Sequence, residues 1–123
     1  MERVLRDLGC HDRELSILFT DNQGIAELNR RYLGREGPTN VLAFPMTGGP
    51  EPEIDSPMLG DVVISVDRAS QESEELEEPL GQTIDRLLIH GVLHLLGYDH
   101  EKSTADAGRM EEEEKRLMKL IGD

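Results

Sequence analysis

The sequence predicts a single α+β domain over residues 1–123: a small mixed sheet of three to four strands packed with about four to five helices, one of which carries a His-x-x-x-His pair. Three observations predict it. Short alternating or β-branched runs are interleaved with segments of helical spacing. The chain has 123 residues, which allows one core covering about two-thirds of the unfolded surface but not two independent halves. No internal repeat is present, and no low-complexity tract beyond two glutamate clusters.

The expected order is helix, strand, helix, strand, strand, helix, helix, starting from a short N-terminal helix. Glu14 to Thr20 alternates, with Leu15, Ile17 and Phe19 on one side, and reads as a half-buried strand. Thr20 with Gln23 resembles a helix cap. Ile25, Leu28 and Tyr32 then follow at helical spacing up to Gly34, a C-terminal stop, which leaves Arg30 and Arg31 off the buried stripe. Pro38 bars a helix, and Val41 to Phe44, ended by Pro45, suits a second strand. Gly48, Gly49, Pro50, Pro52 and Pro57 make 47–57 a loop placed to act as a flap. Asp61 to Val66 is apolar and β-branched, an inner strand. Pro79 opens a helix that Ile84, Leu87, Leu88 and Leu95 carry to Gly97, expected to be the longest and most buried. A last helix runs from about Thr104 to Leu120, with Ala107, Met110, Leu117 and Ile121 on one stripe.

Charge narrows the function. Thirteen basic residues against 26 acidic ones give a net charge of −13, and nearly all of the excess lies after Pro50. The clusters Glu72, Glu74, Glu75, Glu77, Glu78 and Glu111 to Glu114 read as solvated helix faces, with Glu111–Lys115 and Glu112–Arg116 as i,i+4 pairs. This balance excludes a generic DNA binder, which needs clustered cations to neutralise phosphates. Any nucleic-acid contact is local, and Arg30, Arg31 and Arg35, with Arg13 upstream, are its candidates. Cys10 has no intrachain partner, so a reducing, cytoplasmic setting is expected. Met1 to Leu8 mixes charges unlike a signal peptide, and no run approaches the ~18 apolar residues of a membrane span.

The chemistry concentrates in eleven residues. His90 and His94 stand at i and i+4 of the expected helix, one turn apart on one face, which suits two ligands of one metal ion. Gly97 then lets the chain turn so that His100 returns as a third ligand. Three nitrogens and an open position are the arrangement of catalytic zinc, although imidazole also accepts other divalent transition metals. The spacing His-x-x-x-His-x-x-Gly-x-x-His is that of zincin-like metzincin proteases. Their glutamate general base is replaced here by Gly91, which argues against a peptidase. A bound zinc lowers the pKa of its water to about 7 without such a base, and Asp99 and Glu101 lie near in sequence, as helpers or as partners of the imidazole N–H groups. Arg86, at i−4 from His90, would bring a cation to the same face, where it stabilises charge on a phosphate.

His90-Gly-x-Leu-His94-Leu-x-Gly97-Tyr98-Asp99-His100 resembles the signature of the YbeY family. Pro38-Thr39-Asn40-Val41-Leu42-Ala43-Phe44-Pro45, Leu59-Gly60-Asp61-Val62-Val63-Ile64 and Leu28-Asn29 with Tyr32 are similar to its other segments, so the match runs from about residue 14 to the C-terminus. The resemblance implies a zinc-dependent, single-strand-specific endoribonuclease of rRNA maturation, including the 3′ end of small-subunit rRNA, and of ribosome quality control. It implies His90, His94 and His100 as ligands of one Zn2+ per chain, and rRNA and ribosomal subunits as partners. Arg31, Arg35, Asn40 and Arg86 are the residues expected to position the RNA backbone. The chain departs from the family in carrying Leu33 where members commonly have arginine, and members usually begin with a further strand. The alternative expectation is a noncatalytic ribosome-assembly factor whose metal stabilises the fold.

Overall fold

The computed structural model of the chain describes residues 2–9, 14–45, 58–96 and 104–122. Their elements run α1 (Glu2–Asp7), β1 (Glu14–Thr20), α2 (Asn22–Leu33), β2 (Val41–Pro45), β3 (Met58–Ser65), α3 (Val66–Glu75), α4 (Leu80–Leu95) and α5 (Thr104–Gly122). The expected loop over 47–57, Cys10, Arg13, and the positions Gly97, Asp99, His100 and Glu101 lie outside the described residues.

The apolar run Val62-Val63-Ile64 makes β3 the middle strand of the order β1-β3-β2, parallel to β1 and antiparallel to β2. Paired on both edges and covered on both faces, these three residues are buried, as the sequence predicts for an inner strand. β1 is more exposed than its alternation suggests. As an edge strand it leaves Ile17, Leu18 and Phe19 at 37%, 52% and 48% exposure, because neighbours cover it from one side only.

Alternation along β3 sorts the helices. Val63 joins Leu42 and Ile25 of α2 on one face, whereas Val62 and Ile64 join Ala69 of α3 and Leu87 and Leu88 of α4 on the other. Ile89 and Leu93, on the far side of α4, then pack against Val4, Met110 and Leu117. α4 is therefore buried from two sides, between the sheet and the α1–α5 layer. It is the most buried helix, but α5, at 19 residues against 16, is the longest.

Four local expectations are corrected. The strand ends at Ser65, not Val66, because the Ser65 hydroxyl accepts from the Arg68 N–H at 3.2 Å and caps a helix absent from the predicted order. That helix, α3, carries Glu72, Glu74 and Glu75. The cap of α2 is Asp21, not Thr20: its carboxylate accepts from the Gly24 N–H at 2.7 Å, while Thr20 stays in the strand. α4 ends at Leu95, two residues before Gly97, with Leu96 as its cap. Arg116 bonds Glu113 and Asp7 of α1, each at 2.7 Å, rather than Glu112. Gly34 does end α2, in a left-handed conformation, and Glu111 does pair with Lys115.

At Gly91, α4 packs closely on the sheet. A Cβ there would lie 2.8 and 3.0 Å from the two γ-methyl groups of Val62, which is fully buried and stiff at χ1. Gly91→Ala is expected to cost about 1–2 kcal/mol, because overpacking at ~1–3 kcal/mol outweighs the ~1 kcal/mol that alanine adds to helix propensity. A urea titration of the variant checks this, and a gain in stability would contradict it.

Candidate metal centre

The approach of Gly91 to Val62 sets which side of α4 remains for chemistry. His90 and His94 bring their Nε2 atoms to 3.1 Å, with ring centroids 4.6 Å apart and planes at 76°. Two nitrogens each about 2.0–2.1 Å from a tetrahedral zinc stand about 3.3 Å apart, so this pair has the spacing of two ligands of one ion. Among the described residues no group of three or more His, Cys, Asp or Glu side chains gathers as a metal site. His100, the third expected ligand, lies outside them. The donor chemistry of the two described histidines fits zinc.

Glu114 is the residue that sequence reading missed. Its carboxylate oxygen Oε1 meets Nδ1 of His90 from α5. The glutamate cluster as a whole reads as solvent-facing, and Glu111 and Glu112 are exposed. The missed signal was positional: Glu114 lies at i+4 from Met110 and i−3 from Leu117, two buried residues of the α5 stripe. A carboxylate inside an apolar stripe needs a partner.

Position 91 also bears on the reaction type. A side chain there is directed at Val62, so the packing of α4 on β3 has no room for the glutamate that a metzincin places between its histidines.

The expected RNA-positioning residues are not gathered at the histidines. Arg31 is exposed on α2, across the sheet from α4, and Arg35 is exposed in the loop that follows α2. Asn40 donates from Nδ2 to the Glu72 carboxylate at 3.3 and 3.4 Å, and its carbonyl accepts from the Ser65 N–H at 3.0 Å. Arg86 is bonded to Glu78, which also accepts from the Thr83 hydroxyl at 2.8 Å. A cleft of about 510 Å³ opens on the α2 side, walled by Leu28, Tyr32, Phe44, Ile17 and Val63 with Asp61, and the two histidines are not in its lining.

Among the described residues, two carboxyl groups are held below their ordinary range. The Arg86 hydrogen bond lowers Glu78, with Thr83 adding to it against the opposing effect of burial. Arg116 does the same for Asp7. A carboxyl depressed on folding contributes stability that is complete above its ordinary value, 4.5 for Glu78, and is lost as pH falls through the folded value. Arg86→Met is therefore expected to destabilise the protein near pH 7 and to matter less at about pH 3.5, where Glu78 is closer to neutral. Urea midpoints at the two pH values check this; an equal loss at both would contradict it.

Residues 1–122 match the sequence profile of the family described as Endoribonuclease YbeY. The Endoribonuclease YbeY of Syntrophus aciditrophicus is 41% identical over 122 residues, covering 98% of this chain and 76% of that protein. That of Syntrophotalea carbinolica is 46% identical over 121 residues, covering 98% and 81%. The solution structure of the Thermotoga maritima protein TM1509 superposes with a TM-score of 0.63 at 28% identity, covering 95% of this chain and 72% of that one.

Proposed function

The chain belongs to the Endoribonuclease YbeY family, and we propose that it is a zinc-dependent endoribonuclease that cuts single-stranded RNA during rRNA maturation, at the 3′ end of small-subunit rRNA, and in ribosome quality control. Its setting in this reading is the cytoplasm, with rRNA and ribosomal subunits as partners. Among the described residues no helix is long and apolar enough to cross a membrane.

The observation that carries the reading is the pair of Nε2 atoms 3.1 Å apart on α4, in a chain whose family is named for RNA cleavage. His90 and His94 would hold the ion, with His100 as third ligand. When bound, zinc supplies Lewis-acid stabilisation of a scissile phosphate and acidifies water. The protein's own contribution is positional. α4, packed on both sides, fixes the backbone from which the two rings project, so little reorganisation of the helix is needed when charge develops on the phosphate. Asn40 and Arg86 are engaged by Glu72 and Glu78; Arg31 and Arg35, both at the exposed surface around the end of α2, are the residues we assign to the RNA backbone. From across the sheet they would hold the strand away from the point of cleavage.

Noncatalytic ribosome assembly remains the second reading, favoured by Leu33, half exposed where the family commonly has arginine. RNA binding without turnover by zinc-loaded protein would select it.

The test is cleavage of a single-stranded RNA oligonucleotide by chelator-stripped, zinc-restored protein. His94→Ala is expected to lose more than about 100-fold in rate, since even the loss of an outer partner of a metal ligand costs 10–100-fold. Identical cleavage by wild type and variant would overturn the reading. Arg31→Ala with Arg35→Ala should weaken RNA binding and lower the log–log salt slope by about one per lost phosphate contact, with zinc binding unchanged.

A further inference from the structure

Glu114 is the one described side chain from another element that meets the histidine pair through a carboxylate. It reaches across the interface of α4 with α5, where Met110 and Leu117 of α5 are buried against Ile89 and Leu93 of α4. Those apolar contacts on either side of it fix the height and rotation of the carboxylate relative to His90. The interface is partly open at this point: the side chains of His90 and Glu114 are 29% and 22% exposed.

We propose that Glu114 is a positioning residue for the metal centre, acting through His90. This inference rests on the zinc reading above. A carboxylate only accepts hydrogen bonds, so the imidazole nitrogen it meets carries the proton. With the proton on Nδ1, the ring presents its lone pair at Nε2, the atom that stands 3.1 Å from Nε2 of His94. The contact therefore selects the tautomer that ligates through Nε2, and it stops the ring from turning about χ2, which would send Nε2 away from His94. The three neighbouring glutamates do not share the role. Glu111 is paired with Lys115 and Glu113 with Arg116, and Glu112 is exposed.

The experiment is zinc affinity, measured by competition against a chromophoric chelator, for the wild-type chain and for Glu114→Ala, Glu114→Gln and Glu112→Gln. Urea midpoints of the chelator-stripped proteins are recorded in parallel. Glu114→Ala is expected to weaken zinc binding about 10–100-fold. Glu114→Gln keeps an oxygen acceptor of similar reach and should recover part of that loss, and it serves as the test variant if the alanine protein does not fold. Glu112→Gln removes the same charge from the same helix and should stay within twofold of wild type. Cobalt-loaded wild type and Glu114→Ala should also differ in their visible absorption bands, because a ring that has turned alters the ligand field. Affinity within twofold of wild type in folded Glu114 variants, even with a lowered urea midpoint, would reduce Glu114 to a packing residue and overturn the inference. An equal loss in Glu112→Gln would overturn it too, by making the effect one of net charge. Failure of the wild-type chain to bind zinc would instead overturn the zinc reading itself, and this inference with it.

Discussion

The contact on which the rest of this structure depends is the approach of α4 to β3 at Gly91. With no side chain at that position, the helix settles against the γ-methyl groups of Val62, and Leu87, Leu88 and Ile84 close over Val62 and Ile64 around it. Once that face is committed to the sheet, the rotation of α4 is fixed. Ile89 and Leu93 must then face the α1–α5 layer, and His90 and His94 fall where α4 meets the edge of that layer, with Glu114 opposite. A helix covered on two sides has little freedom to roll, so the backbone positions from which the two imidazoles project, one turn apart, are fixed.

Carboxylates do much of the fastening around this core, in a chain whose acidic excess otherwise faces water. Glu78 gathers Arg86 and Thr83 at the start of α4, Glu72 ties α3 to Asn40 before β2, and Asp7 joins α1 to Arg116 of α5. Asp67 accepts from the N–H of Asn22 at 2.9 Å and links α3 to the first turn of α2. Each meets a cation, an amide or a hydroxyl at an element boundary, where one well-placed acceptor satisfies donors that the backbone geometry leaves over. The remaining glutamates keep the surface strongly negative, consistent with an RNA contact made by few cations.

Much of this was legible in the sequence because it rests on periodicity. The apolar run of β3, Ile25 and the closing Gly34 of α2, and the 3.6-residue repeat of α4 and α5 are local patterns that tertiary packing preserved, whereas Ile17 and Phe19 of β1 and Tyr32 of α2 stay exposed. The His90–His94 pairing was legible for the same reason, since i,i+4 spacing on a helix fixes proximity without knowledge of the fold. What was not legible needed a partner distant in sequence. α3 was missed because the β-branched run continues through Val66, and only the Ser65 cap shows where the strand stops. The pairings of Arg86 with Glu78, Asn40 with Glu72 and His90 with Glu114 depend on which elements lie side by side. Arg31 and His90 could not be assigned to opposite sides of the sheet until α2 and α4 were placed on the two faces of β3.

The account turns on a metal held by the histidines of α4. Its most direct test is the metal content of protein purified without chelators, measured by mass spectrometry beside the same protein carrying His94→Ala. The account predicts about one equivalent of zinc per wild-type chain, as for a single mononuclear site, and its loss in a variant that remains folded. Wild-type protein without bound metal, or a variant that retains the same amount, would contradict it.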